Sequence, residues 1–278
     1  MNTQTTGVSS AMPIVPGTHV LYTIQPGDTL YGIANRTGAS LQDLVRQNAL
    51  YPPITESDLI FPGWAVLIRL PGMTEHSAVL HQVAPGDTLY RIAERYSVGL
   101  DMLAALNRLE QPDILSVAQL IYIPAIVYEI EEGDTLYRIS RRFGIPLTEL
   151  MRANRSRPGL SPDVIFPGYR LILPLPSSTN IVVFQPLPGS RIRSGQPLVG
   201  AARAFEANVL YQVRDAANRV VVREQPVTAS EGAPAFGRFE TELRFNQPPS
   251  APTGTLLVYT RSPRDGSIQD LVEVPVLF

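Results

Sequence analysis

The sequence predicts an α+β multidomain protein in which three small βααβ units are followed by an all-β sandwich. Two observations carry this prediction. The pentapeptide GDTLY occurs three times, at residues 27–31, 86–90 and 133–137, and a repeat at such intervals is the signature of a modular array. After Pro174 the helical periodicity stops, and short apolar runs separated by turn residues begin, which is typical of a β-sandwich.

Each repeat is predicted to run strand, helix, helix, strand. A short apolar strand precedes GDTLY, and apolar side chains at i, i+3 and i+4 then indicate two helices divided by a glycine. A second apolar strand, ended by proline, closes the unit. The first and last strands are expected at residues 20–24 and 65–70, 79–83 and 120–123, and 126–130 and 170–173.

Other positions recur with the motif. An asparagine follows its first glycine by 21 residues in every copy. Aspartate before a helix is most often an N-cap, so the motif aspartates are expected to cap rather than to contact a ligand. Arginines between the apolar stripes, such as Arg91 and Arg95, are expected to face water. The motif tyrosines fit core packing and surface contact equally well. The recurring residues are Asn48, Asn107 and Asn154, Asp28, Asp87 and Asp134, and Tyr31, Tyr90 and Tyr137.

The composition excludes several classes of protein. The chain has 278 residues, 44% of them hydrophobic, a formal net charge of -2 and no cysteine. Disulfides, thiolate metal sites and cysteine nucleophiles are therefore excluded, and the chain is too apolar to be disordered. No apolar run approaches the ~20 residues of a membrane helix, so no membrane span is expected. The acidic balance argues against nucleic-acid binding.

The shared pattern, Y-x-[IV]-x-x-GDTLY-x-I-[AS] … N … [IV]-F-P-G … [IL]-x-[IL]-P, resembles the LysM domain, a carbohydrate-binding module. The resemblance covers residues 18–174. It implies a βααβ fold and recognition of glycans that contain N-acetylglucosamine, mainly peptidoglycan and chitin. It also implies that the glycan binds in a shallow groove between the loop after the first strand and the loop before the second. The glycan-binding residues that it implies are Gly27, Asp28, Thr29, Leu30, Leu59, Ile60 and Phe61 in copy one, Gly86, Asp87, Thr88 and Leu89 in copy two, and Gly133, Asp134, Thr135, Leu136, Val164, Ile165 and Phe166 in copy three.

Copy two departs from the pattern. Where the other copies have Phe-Pro-Gly before the last strand, it has Ser116, Val117 and Ala118. Losing proline and glycine changes the backbone angles that one wall of the groove can adopt. This copy is therefore expected to have lost glycan binding and to serve as a spacer.

The C-terminal region has the pattern of a β-sandwich. Seven strand-like runs are separated by turn signals, and residues 239–245 alternate apolar and polar side chains as a half-buried strand does. Through residues 186–189, 194–200, 209–215, 237–245 and 265–267, the region resembles the immunoglobulin-like domain of bacterial spore germination. The resemblance implies an adhesive or spacing role.

The domains are expected to meet differently along the chain. Only Ala125 separates the closing Pro124 of copy two from the next strand, so copies two and three are expected to abut rigidly. Residues 71–77 give the first junction more freedom. The expected domains are residues 1–17 (a polar tail), 18–72, 78–125 and 126–175 (LysM copies one to three) and 180–278 (the sandwich).

Neither a catalytic centre nor a metal or cofactor site is expected. His19, His76 and His81 lack metal-ligand spacing, and HExxH and GxSxG are absent. A glycosidase needs two carboxylates placed across a sugar, whereas residues 131–134 crowd their acidic groups into one loop. The seven arginines of residues 138–170 are expected to form a solvated face.

Two non-enzymatic functions fit these features. In the first, the LysM copies bind peptidoglycan or another N-acetylglucosamine polymer, anchor the protein to the bacterial cell wall, and let the sandwich project outward toward a protein partner. In the second, the same modules bind protein within a spore layer, an extracellular fibre or a phage-tail-like machine. Residues 1–17 have neither the basic start nor the apolar core of a secretory signal. A cell-wall or extracellular location is expected, with leaderless export or cytoplasmic assembly as the alternative.

Overall fold

The computed structural model describes residues 12–51, 55, 59–72 and 77–278, so residues 1–11 of the expected tail and His76 lie outside the described residues. The predicted fold class is confirmed, because three βααβ units precede a region of strands. The units comprise β1 (Thr18–Thr23), α1 (Leu30–Thr37), α2 (Leu41–Gln47) and β2 (Ala65–Arg69); β3 (Ala78–Gln82), α3 (Leu89–Arg95), α4 (Leu100–Leu106) and β4 (Leu120–Ile123); and β5 (Ala125–Glu129), α5 (Leu136–Phe143), α6 (Leu147–Ala153) and β6 (Arg170–Pro174).

Threonine, not aspartate, begins the first helix of each unit. In copy one, Thr29 Oγ1 accepts a hydrogen bond from the Gly32 N–H at 3.0 Å, and the motif threonine does the same in the other two copies. This bond satisfies one of the N–H groups that a helix start leaves unpaired. The prediction that the motif aspartates cap these helices is therefore wrong. The caps are Thr29, Thr88 and Thr135 in place of Asp28, Asp87 and Asp134.

The recurring asparagine joins the second helix of each unit to its closing strand. In copy three, Asn154 Nδ2 donates to the carbonyls of Leu150 and Ile172 at 2.9 and 2.7 Å, and Asn154 Oδ1 accepts from the Ile172 N–H at 2.9 Å. Asn48 and Asn107 make the same three bonds in their copies. One amide thus satisfies a helix carbonyl and both backbone groups of a strand residue, which explains its fixed place in the repeat.

Copies one and two share a four-stranded sheet with the order β2-β1-β3-β4. The inner strands β1 and β3 run parallel, with Val20 opposite Leu80 and Leu21 opposite His81. The outer strands pair antiparallel with their own copy's inner strand. The prediction of a looser first junction is therefore wrong, because backbone pairing joins these copies directly; residues 73–76 of that junction lie outside the described residues.

Copy three has its own antiparallel pair, β5 and β6, and contacts copy one through a buried arginine. Arg157 Nη2 donates to Asn48 Oδ1 of copy one at 2.8 Å. Nearby, Arg170 Nη1 donates to Gln47 Oε1 of copy one at 2.7 Å. These polar contacts lie beside a buried apolar cluster to which all three copies contribute side chains. The three copies therefore form one body.

Arg95 of copy two is buried, although the sequence predicted that it faces water. Its guanidinium donates to the backbone carbonyls of Ala153, the last residue of α6, and Arg155, two residues further on, at 3.2 and 2.8 Å. The C-terminal end of a helix carries partial negative charge, which favours a cation there. Arg157 and Arg170 are buried as well, so the prediction of a solvated arginine face is wrong for these two residues.

The C-terminal region forms two sheets that face each other. Their orders are β11-β10-β13-β14-β8 and β12-β9-β7, and a separate apolar cluster lies between them. No helix in the described part of the chain has both the length and the apolar character needed to cross a bilayer. The strands are β7 (Ile181–Gln185), β8 (Ser190–Arg191), β9 (Gln196–Ala202), β10 (Asn208–Asp215), β11 (Val220–Thr228), β12 (Gly237–Leu243), β13 (Thr253–Arg261) and β14 (Ile268–Leu277).

The sandwich packs against copies two and three, whereas the sequence suggested that it projects outward. Its Val182 and Ala201 belong to the buried cluster that the LysM copies share. Arg203 Nη1 lies 2.9 Å from Asp101 Oδ2 of copy two. At Gly144 of copy three, an added Cβ would lie within 2.7 Å of the side chain of Pro275, so only glycine permits this approach.

His19 of β1 is fully buried where the copies meet. Its Nδ1 lies 3.0 Å from the Gly17 carbonyl oxygen, while its Nε2 has no hydrogen-bond partner among the described residues. Burial, together with the charges of Arg170, Arg69 and Arg157, lowers the pKa of His19 to about 4. The folded protein therefore holds this imidazole neutral at pH 5 to 6, where an exposed histidine gains a proton.

We expect acid to destabilise the protein through His19. Because its pKa falls from 6.5 to about 4 on folding, the stability that the neutral ring confers is complete above pH 6.5 and is lost as the pH falls toward 4. Over that range the parent chain should lose on the order of 1.4 kcal/mol per pH unit more than His19→Gln, which cannot protonate. Urea unfolding at pH 7.0, 5.5 and 4.5 measures the difference, and parallel pH profiles for the two proteins would contradict it.

Candidate functional site

In each copy, the motif aspartate closes the loop that leaves the first strand. In copy one, Asp28 Oδ2 accepts hydrogen bonds from the Tyr22 hydroxyl at 2.6 Å and from the Gln25 N–H at 2.8 Å. The Asp28 N–H donates back to the Gln25 carbonyl at 3.1 Å. The carboxylate is thus occupied by its own loop. The equivalent pairs are Tyr128 with Asp134 in copy three, at 2.7 Å, and His81 with Asp87 in copy two, at 2.9 Å.

The charge of this aspartate is fixed by its surroundings. Burial would raise the pKa of Asp28, but the hydrogen bonds from Tyr22 and the Gln25 N–H and the ion pair with Arg36 at 2.8 Å outweigh it and hold the pKa below its usual range. Burial and the bond to Asp28 raise the pKa of Tyr22 to about 12. At neutral pH the loop is therefore closed by a permanent donor and a permanent anion.

Two backbone hydrogen bonds hold the walls of each groove together. In copy one, the Gly63 N–H donates to the Ile24 carbonyl at 2.9 Å, and the Ile24 N–H donates to the Trp64 carbonyl at 2.8 Å. Copies two and three make the equivalent pair of bonds. Gly63 has φ 90°, a conformation that glycine adopts without steric cost. The loop after the first strand and the loop before the last are therefore held at one separation in all three copies.

Copy two keeps this geometry without proline or glycine. Ala118 takes φ 69°, donates to the Val83 carbonyl at 2.8 Å, and so occupies the place of Gly63. The Val83 N–H donates to the Gln119 carbonyl at 2.8 Å. The predicted change of backbone in this wall is therefore wrong. An L-residue in the left-handed region costs about 1 to 2 kcal/mol, which the surrounding hydrogen bonds offset.

The residues of the GDTL turn contribute backbone more than side chains. The first glycine is exposed in each copy and has no neighbour within 4 Å of an added Cβ. The aspartate is half-buried, and the threonine is exposed but occupied as a cap. The leucine side chain is buried in the core, so it cannot reach a ligand. These statements hold for Gly27, Asp28, Thr29 and Leu30, for Gly86, Asp87, Thr88 and Leu89, and for Gly133, Asp134, Thr135 and Leu136.

The opposite wall presents apolar side chains. Leu59 and Val164 are 39% and 49% exposed, while Ile60 and Ile165, which follow them, are half-buried. Copy two has the same arrangement, since Ile114 is 67% exposed. Phe61 is exposed and Phe166 is half-buried, and Ser116 replaces them in copy two. Each of the three copies therefore exposes apolar side chains on the loop that is hydrogen-bonded to the loop with the turn.

The three motif tyrosines lie at the surface. Tyr31, Tyr90 and Tyr137 are 72%, 66% and 65% exposed, so none of them packs in the core. A second aromatic feature occurs in copy one, where the rings of Phe61 and Trp64 meet edge to face at 5.0 Å between centroids. The exposed tyrosine rings thus present an apolar body and a polar hydroxyl at the surface.

Sequence reasoning missed the side chains that fasten the loop. Tyr22, His81 and Tyr128 each stand five residues before the motif glycine, in the first strand. Their recurrence as polar aromatic residues was the available signal, but a strand residue gives no indication of which loop its hydroxyl or ring nitrogen reaches. Among the described residues, no three histidine, aspartate or glutamate side chains are grouped to hold a metal ion.

Three βααβ units, each with an exposed turn opposite an apolar wall, define a tandem array of small binding modules. The LysM domain model matches residues 22–69, 81–124 and 128–174, which make up half of the chain. The chain belongs to the LysM domain family. Residues 180–267 match the immunoglobulin-like domain of bacterial spore germination. Both resemblances found in the sequence are confirmed.

Several known proteins are similar to part of the chain. It is 30% identical over 96 residues to "Probable autolysin SsaALP" of Staphylococcus aureus, covering 32% of this chain and 34% of that protein. It is 32% identical over 98 residues to the cell wall-binding protein YocH of Bacillus subtilis, covering 35% and 32%. The crystal structure of the Bacillus cereus spore cortex-lytic enzyme SleL is 33% identical, with a TM-score of 0.29 and coverage of 38% and 22%. The chain thus spans about a third of the length of these two curated relatives.

Proposed function

We propose that the chain binds peptidoglycan or another N-acetylglucosamine polymer and holds it without cutting it. In this function, the LysM copies anchor the protein to the bacterial cell wall, and the sandwich acts as a spacer or adhesion domain. One observation carries the proposal: in all three copies, the loop with the exposed turn is hydrogen-bonded to the loop that carries exposed apolar side chains.

The chemistry of the two walls suits an aminosugar. Backbone N–H groups at a helix start suit an acetamido carbonyl or a sugar hydroxyl. Side chains such as Leu59 and Val164 suit the apolar face of the ring and the acetamido methyl. The names of two relatives, an autolysin and a cell wall-binding protein, support a wall polymer as the ligand.

The carboxylates support binding rather than cleavage. Hydrolysis of a glycoside uses two carboxyl groups on opposite sides of the bond. The aspartate that the three grooves share is bound to its own loop. Glu131 and Glu132 of copy three have no counterpart in the other copies, which carry Gln-Pro and Ala-Pro at those positions.

We expect a carboxylate on the apolar wall to abolish binding. Leu59→Asp, Ile114→Asp and Val164→Asp alter equivalent exposed positions, so the triple variant should fold normally but lose at least ten-fold in retention on purified peptidoglycan sacculi, because a charged group replaces the apolar contact. Ile268→Asp, which changes an exposed residue of the sandwich, is the matched control and should bind as the parent does. Trp64 is the sole tryptophan, so its fluorescence reports ligand at copy one directly.

The outcomes separate the two functions raised by the sequence. Equal retention of the triple variant and the control would remove the grooves as the binding site. If the parent chain is retained neither on sacculi nor on chitin beads, the glycan proposal fails, and a component of a spore layer, fibre or tail-like machine that binds protein takes its place.

A further inference from the structure

The grooves of copies one and two open at the same end of their shared sheet. Since β1 and β3 run parallel, both strands end on the same side, and the loops that follow them lie next to each other. The last strands, β2 and β4, begin at that end and flank the inner pair. With strands about 4.8 Å apart, the groove between β2 and β1 lies about 10 Å from the groove between β3 and β4.

The two copies nevertheless face opposite sides of this sheet. Tyr22 and His81 occupy the same place in the repeat, five residues before the motif glycine. In the sheet, however, His81 pairs with Leu21, the residue before Tyr22. A register offset of one residue turns equivalent side chains to opposite faces. His81 therefore shares the face of Leu21, and Tyr22 lies on the other.

The buried clusters follow the same division. Val66 and Ile68 of β2 pack with the helices of copy one, whereas Leu67 between them packs with residues of copies two and three. Val79 of β3 also belongs to that second cluster. Helices α1 and α2 thus cover one face of the sheet, and α3 and α4 cover the other. The relation between the copies is therefore a half-turn about an axis parallel to the strands, combined with a shift of one residue, about 3.3 Å, along that axis.

A half-turn has a consequence for a polymer that has a direction. One straight glycan strand passes through two equivalent sites in the same orientation only if a translation along the strand, or a screw about the strand's own axis, relates the sites. The screw is excluded here, because each groove lies about 5 Å to one side of the half-turn axis, so that axis cannot be the axis of a strand that fills either groove. If a bound glycan strand lies perpendicular to the half-turn axis, the two grooves hold it in opposite directions. If it lies parallel to the axis, the two grooves lie side by side and not one after the other along the strand. Neither case lets one straight strand occupy both grooves in the same way.

We propose that copies one and two hold two separate glycan strands and that the chain thereby bridges them. This inference rests on the proposed function of the grooves. The hydrogen bonds between β1 and β3, and the Ala118 turn that keeps the groove of copy two in shape, fix the two sites relative to each other. The two copies therefore hold neighbouring glycan strands at a fixed separation. They do not act as flexibly linked sites that bind a single glycan strand more tightly.

The test uses the full chain with the groove of copy three disabled by Val164→Asp. Chitopentaose labelled with a donor fluorophore is mixed with chitopentaose labelled with an acceptor, and energy transfer is measured at saturation along with the binding stoichiometry. We expect two oligosaccharides per chain and transfer whose efficiency does not change with chain concentration as long as the oligosaccharides stay at saturation. Adding either Leu59→Asp or Ile114→Asp should reduce the stoichiometry to one and abolish the transfer.

Length dependence provides the second measurement. Two sites that grip one strand should bind chitooctaose at least ten-fold more tightly than chitopentaose, because the second contact becomes intramolecular. Bridging predicts a difference below three-fold. One oligosaccharide per chain in the Val164→Asp background, or a ten-fold gain with length that either further substitution removes, would overturn the bridging inference and leave glycan binding intact. Absence of binding by any of these proteins would overturn the proposed function itself.

Discussion

Replacing Asn154 by alanine is expected to lower the free energy of unfolding by about 2 to 4 kcal/mol. The substitution leaves the N–H and carbonyl of Ile172 without partners in a fully buried strand and removes the bond to the Leu150 carbonyl. A buried backbone group without a partner costs about 1 to 3 kcal/mol. Urea unfolding followed by circular dichroism measures the loss.

The repeat supplies its own controls for this prediction. Asn48→Ala should cost at least as much as Asn154→Ala, because both side chains are about 1% exposed or less and Asn48 Oδ1 also accepts a hydrogen bond from the buried Arg157. Asn107 makes the same three bonds but is only half-buried, so water can replace the lost amide and the cost should fall to about 1 kcal/mol. Equal losses at the three positions would show that burial does not set the cost.

Arg157→Ala is expected to lower the free energy of unfolding by about 2 to 4 kcal/mol and to loosen copy one from copy three. The guanidinium donates to Asn48 Oδ1 at 2.8 Å and to the Arg170 carbonyl, and it lies 4.7 Å from the centre of the Tyr169 ring. Alanine removes these contacts and leaves a cavity between two copies. Urea unfolding gives the cost, and small-angle scattering gives the change in shape.

Arg155→Ala is the matched control. Arg155 lies two residues before Arg157 and its side chain is exposed, so the substitution removes the same charge from the surface. It should change the free energy of unfolding by no more than about 0.5 kcal/mol and leave the scattering curve unchanged. If both variants lose the same stability, net charge and not the contact with copy one is responsible. An unchanged radius of gyration in Arg157→Ala would mean that the apolar cluster alone holds the copies together.

The elements of each copy could be predicted because their causes are local. Apolar side chains at helical spacing place α1, α3 and α5, and the repeated glycine marks the turn before them. The recurrence of an asparagine at the same place in each copy likewise indicates a common structural role from the sequence alone. These residues are Asn48, Asn107 and Asn154. The family follows from the same residues.

The docking of the copies could not be predicted, because it depends on contacts between distant parts of the chain. Arg157 and Asn48 are 109 residues apart, and nothing near Arg157 distinguishes it in sequence from the exposed Arg155. Arg95 is buried for the same reason, since the carbonyls that receive it belong to copy three. A helical pattern shows which face of a helix is polar but not what covers that face.

The family resemblance, and not the local pattern, implied which turn and which apolar side chains belong to the candidate site. Local pattern assigned Asp28 to a helix cap, a position that Thr29 takes. It also expected the loss of proline and glycine to change the backbone of one groove wall in copy two, although the hydrogen bonds around Ala118 hold the left-handed conformation. Both errors arise because propensity is a weak preference that a few well-placed bonds override.

The shared sheet determines how the protein can be divided. A fragment that ends at residue 72 would keep β1 but would lose β3, and the edge of β1 that pairs with β3 over residues 18–21 would be left open. Such an open edge recruits a second strand, so the isolated first module should self-associate, whereas a fragment of the first two modules should not. The smallest piece of this protein that keeps the edge of β1 covered is therefore larger than the single repeat.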